Sequence, residues 1–213
     1  MENKNQIIDS LNWRYATKQF DADKKLTEAQ LELLFEAVRL SPSSYGLQPY
    51  QVIVISSSEI KEKLKAAAYG QSQLTDASHV FVFARTKTFT EAHVDEFAEN
   101  IVQTRGIDLS IIADFVGMMK GTVNSRNQEE LGAWNARQAY IALGILLETT
   151  ALYEIDSCPM EGFDIAQFDT ILGLDELNLT SVVIAPVGFR SEKDVYQNYK
   201  KVRKSKEDLF IHI

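Results

Sequence analysis

The chain has 213 residues, 45% of them hydrophobic, and a formal net charge of −8. Its length and apolar content suffice for a sizeable core in one domain, whereas the acidic balance excludes a general nucleic-acid or anionic-membrane surface, because both need clustered positive charge. One cysteine, Cys158, rules out an intrachain disulfide and fits a reducing compartment; the polar start Met1-Glu2-Asn3-Lys4-Asn5-Gln6 and the lack of a run near the ~18 apolar residues of a membrane span lead to the expectation of a soluble cytoplasmic protein.

Ile7, Ile8 and Leu11 recur at helical spacing and predict a short first helix ending near Trp13-Arg14. Arg14-Tyr15-Ala16-Thr17-Lys18 follows, a basic pair four residues apart in a stretch too polar for core, readable as a solvated loop or as a binding segment. Thr27-Glu28-Ala29-Gln30 has the form of a capping box, with Leu31, Leu34, Phe35 and Val38 as the apolar stripe behind it. Pro42 pushes Ser41 out of helical geometry and ends that helix. The loop Ser43-Ser44-Tyr45-Gly46-Leu47-Gln48-Pro49 then leads into a β-branched strand, Gln51-Val52-Ile53-Val54-Ile55. Polar groups held between a helix and a core strand are rigidly presented, although a plain connection also explains the two prolines and the glycine.

A helix opens at Ser58 and stops at Gly70, and Gln71-Ser72-Gln73 is expected in a loop before a second buried strand, Val80-Phe81-Val82-Phe83-Ala84. His79, His93 and His212 are isolated in sequence, so no metal site is expected. From about 90 to 128 the pattern predicts a helical excursion: Val94, Phe97, Ala98 and Ile101 on one helix, then an Asp108-capped segment with Ile111, Ile112, Phe115, Met118 and Met119. That second group reads as core, or as an adaptable hydrophobic mouth over a ligand.

Glu130 to Tyr153 predicts a long helix, apolar or small nearly all round, which places it inside a core or between subunits. It delivers the chain to Pro159-Met160-Glu161-Gly162-Phe163. There proline fixes one dihedral and glycine admits close backbone approach, so the stretch is either a simple turn or a set of aimed N–H donors. Asp164 caps a short helix ending before Gly173, and Thr180 to Gly188 is a third strong strand. Lys200-Lys201-Val202-Arg203-Lys204-Ser205-Lys206 is a second basic island in an acidic protein; it is a solvated run, or joins Arg14 and Lys18 around a dianionic phosphate. Leu209 to Ile213 reads as an alternating apolar strand that needs a sheet edge. Neither G-x-G-x-x-G nor a P-loop pattern occurs, and no repeat or defensible boundary divides residues 1–213, so one domain is expected.

In order and spacing these segments resemble the flavin-dependent nitroreductase family, from about Arg14 to Arg203. The residues carrying the resemblance are Arg14 to Lys18, Ser41-Pro42-Ser43-Ser44 with Gly46 to Pro49, Gln71 and Gln73 before Ala77-Ser78-His79, Gln138, Pro159 to Phe163, and Lys201-Val202-Arg203. The resemblance implies an α+β fold, a mixed and largely antiparallel sheet flanked by helices, in an intertwined homodimer whose C-terminal arm, about 197–213, crosses to the partner's sheet. It implies bound FMN, with Arg14, Lys201 and Arg203 on the phosphate and Lys18 near the pyrimidine edge of the ring. Tyr15, Ala16 and Thr17 belong to the same cofactor-binding segment, with Ala16 where the family often has serine. Pro42, Ser43, Ser44 and Gly46 would come from the partner subunit, and Gln71, Gln73 and Gln138 would contact the ring or ribityl chain. Pro159, Met160, Glu161 and Gly162 would pass along the flavin face, the Glu161 N–H directed at N5. Gly70 and Gln73 stand where some members carry asparagine and lysine. The implied activity is transfer of hydride from NADH or NADPH, through the flavin, to a nitroaromatic, quinone or similar acceptor by a ping-pong mechanism. Alternatives are a reductase of enones, pterins or flavin, or a flavin-binding protein without nicotinamide turnover.

Overall fold

The sheet is built from runs in which β-branched and aromatic residues alternate between two covered faces. In the computed structural model, which describes residues 3–213 with side chains from Gln6 onward, β1 (Tyr50–Ile55), β2 (His79–Thr86), β3 (Asp156–Ser157) and β4 (Leu179–Gly188) form one sheet in the order β1-β2-β4-β3. All the ladders are antiparallel: Tyr50 lies opposite Arg85, His79 opposite Val187, and Asp156 opposite Gly188. A parallel bridge from Ala16 to Ser157 extends the β3 edge and gives the sheet its mixed character. The architecture expected from the sequence, a largely antiparallel sheet flanked by helices, is present.

Each face of the sheet has its own helical cover. Val80, Val82, Ile184 and Ile55 pack against Leu64 and Ala67 of α3 (Ser58–Ala67) and Phe168 of α8 (Ile165–Leu172). Phe81, Phe83, Val183, Ala185 and Val187 pack on the other side against Leu34 and Val38 of α2 (Glu28–Arg39) and Ala139, Ala142, Leu143 and Leu146 of α7 (Gln128–Leu152). Leu34, Phe83 and Leu146 are fully buried, each such side chain stabilising the fold by about 1.5–3 kcal/mol. Within the uncharged run Ala139 to Leu147, the positions Ala139, Ala142, Leu143 and Leu146 lie against this sheet face, whereas Tyr140, Ile141 and Gly144 are exposed.

The helix ends follow local chemistry. Thr27 accepts from Gln30 N while the Gln30 side chain accepts from Thr27 N, the predicted capping box. Asn127 and Glu130 form a second box at the start of α7. α3 opens at Ser58 as the sequence suggests, capped by Ser57, whose hydroxyl accepts from Ile60 N. The helix α7 closes with Glu154 in the left-handed region (φ 53°) and Ile155 N donating to Thr150 O at 2.8 Å, which turns the chain sharply into β3.

Three local expectations are corrected. Gln73 does not lie in a loop but opens a short helix, α4 (Gln73–Asp76), and is buried. A fourth strand, β3, joins the three expected, because Asp156-Ser157 pairs with the apolar end of β4 although it lacks a strand's composition. Leu209 to Ile213 forms no strand within its own chain: a helical turn, α9 (Lys206–Leu209), capped by Ser205 at 3.1 Å from Asp208 N, is followed by exposed residues. A strand takes its hydrogen bonds from a neighbour, and this segment has none within its own chain.

In the excursion, α5 (Glu91–Arg105) stops at Gly106 with φ 62°, and α6 (Ala113–Asn124) follows a 3₁₀ turn capped by Asp108. Its two methionines divide the alternatives left by the sequence. Met119 is core with Phe89, Val94 and Val123, whereas Met118 is 55% exposed and Ile111 68%.

Candidate functional site

The segment Arg14 to Lys18 is held from one side so that its basic side chains lie on another. Asp194, fully buried, accepts from the Tyr15 hydroxyl at 2.9 Å, Lys18 N at 2.7 Å and Gln19 N at 3.0 Å through one oxygen, and from Tyr196 N at 3.1 Å through the other. Burial alone would raise its pKa; the N–H groups of Gln19 and Lys18 and the Tyr15 hydroxyl outweigh that and hold it below the ordinary value. Thr17 is also fully buried and donates to Asp156 at 3.3 Å. Asp156 is clamped by Arg190, whose Nε and Nη2 lie 2.8 and 2.7 Å away, and the same guanidinium covers the rings of Trp13 and Tyr15 at 3.9 and 4.7 Å. The carboxylates and Arg190 therefore form the support, and Tyr15 and Thr17 serve it.

On the other side, cations converge without counter-ions. Lys201 Nζ donates to the carbonyls of Asn12, at 2.9 Å, and Arg14. Burial and the neighbouring Arg14, Arg203 and Arg190 depress its pKa. Arg14 is depressed by burial and then by Arg203, and its Nε is buried with no hydrogen-bond partner. Among the described residues no carboxylate forms a salt bridge with Arg14, Lys18, Lys201 or Arg203. In a protein of net charge −8, a cluster held together against its own repulsion with a buried orphan donor fits a multiply charged oxyanion.

The Pro159 to Gly162 stretch runs beside this cluster. Cys158 N donates to Pro186 O at 3.0 Å and Met160 N to Ile184 O at 2.8 Å, so these alternate N–H groups point into β4. The in-plane alternation of a strand then turns the Glu161 N–H to the opposite side, the side on which Ala16 bridges Ser157. Among the described residues neither Glu161 N nor Gly162 N has an acceptor, whereas Phe163 N closes on Glu161 O at 3.0 Å. Cys158, buried below, has its thiol pushed up by desolvation and drawn back by Lys18 and Arg14, which places both cations near the turn. Gln71 Nε2 donates to Gly162 O at 2.8 Å and Ala68 O at 3.0 Å, fixing the far end of the turn.

The structure thus brings together Arg14, Lys18, Gln71, Pro159 to Gly162, Lys201 and Arg203. It places Gln138 and the Ser43–Gly46 loop elsewhere. Gln138 is buried; its Oε1 accepts from Ser44 N at 2.8 Å and its Nε2 donates to Trp134 O at 2.9 Å, so its amide organises the Ser43–Gly46 loop of its own chain. That loop is further held by Tyr45, whose hydroxyl lies 3.0 Å from Thr122 Oγ1 and whose φ is 58°. Gly46, at φ 85°, passes so close to Phe97 that a Cβ would meet the ring at 3.0 Å. Two residues along α7 from Gln138, on nearly the opposite side of the helix, the Tyr140 hydroxyl donates to the Glu161 carboxylate. α7 therefore separates two half-sites, the cation-and-turn group on one side and the Pro42–Gly46 loop on the other. Asp156, Asp194, Arg190 and Tyr140 were not legible in the sequence, since Asp194 meets residues more than 170 positions away.

The helix-covered antiparallel sheet thus carries a cation cluster beside a turn of free N–H groups, a donor set whose chemistry suits a phosphorylated ligand. The model of the Nitroreductase family matches residues 11–189, and the chain belongs to that family. It is 36% identical over 211 residues to a Staphylococcus saprophyticus protein described as a "Putative NAD(P)H nitroreductase", covering 95% of this chain and 94% of that one. A Bacillus subtilis crystal structure under a similar description superposes with a TM-score of 0.88 at 22% identity, covering 99% of this chain and 100% of that one. An Exiguobacterium sibiricum structure in complex with FMN gives a TM-score of 0.83 at 18% identity and covers 97% of each chain. The family membership makes this chain an oxidoreductase. No helix among the described residues is long and apolar enough to cross a membrane.

Proposed function

We propose that this protein is an FMN-dependent NAD(P)H oxidoreductase acting on nitroaromatic, quinone or similar small-molecule acceptors in the cytoplasm. The observation that carries the reading is the convergence of Arg14, Lys201 and Arg203 without a carboxylate partner, with Arg14 Nε buried and orphaned; the dianionic phosphate of FMN supplies the missing charge and acceptors. Bound there, FMN contributes a two-electron carrier. The chain's own residues bind and bias it. Lys18, its backbone fixed by Asp194, would hold an ammonium near the pyrimidine edge of the ring and offset negative charge gained on reduction. The Glu161 N–H, which has no acceptor among the described residues, would serve as a donor to N5 that does not itself titrate. Nicotinamide and acceptor would occupy the same cleft in turn, which accords with the absence of a dinucleotide fingerprint.

The second half-site supports a homodimer. Pro42, Ser43, Ser44 and Gly46 lie across α7 from the cation cluster, so one protomer's loop would complete the other's site. Along α7, Ala133, Arg137, Tyr140, Ile141 and Gly144 form an exposed stripe, apolar apart from Arg137. β1 is an open edge of the sheet, and Phe210 and Ile211 are exposed, which suits exchange of the C-terminal arm onto a partner's β1. One purified sample tests the reading: a yellow dimer whose flavin is FMN and which oxidises NADH or NADPH with a nitro or quinone acceptor is expected. Protein that stays colourless after incubation with FMN would refute it.

A further inference from the structure

The Glu161 carboxylate belongs to the residue whose N–H is to be kept available. A carboxylate on a tight turn has two easy positions. It can fold back to accept from its own or the next N–H, as short polar side chains do in turns, or it can be held away by an outside donor. Here the donor is the Tyr140 hydroxyl, reaching across from α7 to Oε1. Tyr140 is 40% exposed and stands on the α7 stripe described above, with its hydroxyl turned to the Glu161 carboxylate. Burial, the hydrogen bond to Glu161 and the Glu161 charge push the phenol up to about 12, so it remains a donor throughout the neutral range. The other end of the turn is held separately by Gln71 on Gly162 O, which leaves the Glu161 side chain as its one unrestrained arm without Tyr140.

We infer that Tyr140 is a positioning residue: by holding the Glu161 carboxylate against α7 it keeps the Glu161 and Gly162 N–H groups open to the flavin and the carboxylate's charge away from the ring. The inference rests on the FMN reading above. Its consequence is preferential stabilisation of reduced over oxidised flavin, since a released carboxylate beside the ring opposes the charge that reduction adds.

The test compares wild type, Tyr140→Phe, Glu161→Ala and the double variant, with two measurements. In FMN-free protein, amide hydrogen exchange at Glu161 and Gly162 reports whether the donors are open. Tyr140→Phe should slow it several-fold as the freed carboxylate closes on them, and the double variant should exchange as fast as wild type. With FMN, the ratio of affinities for the reduced and oxidised forms, obtained from the midpoint potential, should fall about tenfold in Tyr140→Phe, the scale of one hydrogen bond to a charged group, and recover in the double variant. A merely structural tyrosine would produce a loss that Glu161→Ala does not repair. Unchanged exchange and an unchanged affinity ratio in Tyr140→Phe, or a defect that persists in the double variant, overturns the inference while the FMN reading stands. Wild-type protein that binds no FMN overturns the FMN reading itself and the inference with it.

Discussion

Replacing Asp194 by asparagine keeps the side chain's shape and removes its charge, and the structure sets the size of the effect. One carboxylate oxygen accepts the Tyr15 hydroxyl, Lys18 N and Gln19 N, and the other accepts Tyr196 N. An asparagine can offer its carbonyl to the first group but must then aim its NH₂ at Tyr196 N, donor against donor. Loss of charge assistance on the first group plus one lost bond amounts to about 2–4 kcal/mol, which corresponds to a fall of roughly 1–2 M in the urea midpoint at an m-value of about 2 kcal/mol/M. The pH dependence separates this account from a packing defect. The Gln19 and Lys18 N–H groups and the Tyr15 hydroxyl hold the folded-state pKa of Asp194 below that of an unfolded aspartate, so its contribution is fully present above the unfolded value and is lost as pH falls through the folded pKa. Urea melts followed by circular dichroism at pH 7 and near pH 3 should show the gap between wild type and Asp194→Asn narrowing in acid. A gap equally wide at both pH values, or none at pH 7, would refute the assignment of Asp194 as the charged anchor of residues 15–19.

Arg14→Gln should weaken FMN binding about 10–100-fold, the value of one charge-assisted phosphate contact at ~1.5–3 kcal/mol, measured by quenching of FMN fluorescence. The FMN-free protein should lose no stability, because burial and Arg203 already disfavour the charge there; an unchanged Kd would remove Arg14 from the site. Gly188→Ala places a Cβ 2.9 Å from Ser78 N and 3.1 Å from the Phe20 ring, and the backbone contact cannot yield. A cost of about 1–3 kcal/mol is expected, read as a fall in Tm of roughly 3–10 °C, and a melting curve matching wild type would show that this strand–loop contact can relax.

The helices and strands were largely legible in the sequence because their signals are local. Thr27 with Gln30, Pro42, Gly106, Asp164 and Gly173 each mark a helix end through bonds or dihedrals within a few residues. The runs 51–55, 80–84 and 180–188 declare strands by composition. Leu209 to Ile213 shows the converse: alternation marks a chain fit for a strand, but only a neighbouring edge makes one. β3 shows it again, since Asp156-Ser157 is a strand by virtue of β4 alone.

The sequence by itself marked the candidate site, because Arg14, Lys18, Lys201 and Arg203 belong to the two basic islands of an acidic chain and Pro159 to Gly162 is a turn able to free its donors. Only the tertiary structure decided how they are held and which of them act together. Asp194 and Asp156 shape the Arg14 to Lys18 segment from well over a hundred residues away, Gln138 turns to its own chain's Ser44, and Tyr140 takes the Glu161 carboxylate. The physical reason is that local propensity is written within a few residues of chain, whereas the geometry of hydrogen bonds and charges at a site depends on segments that only folding brings together.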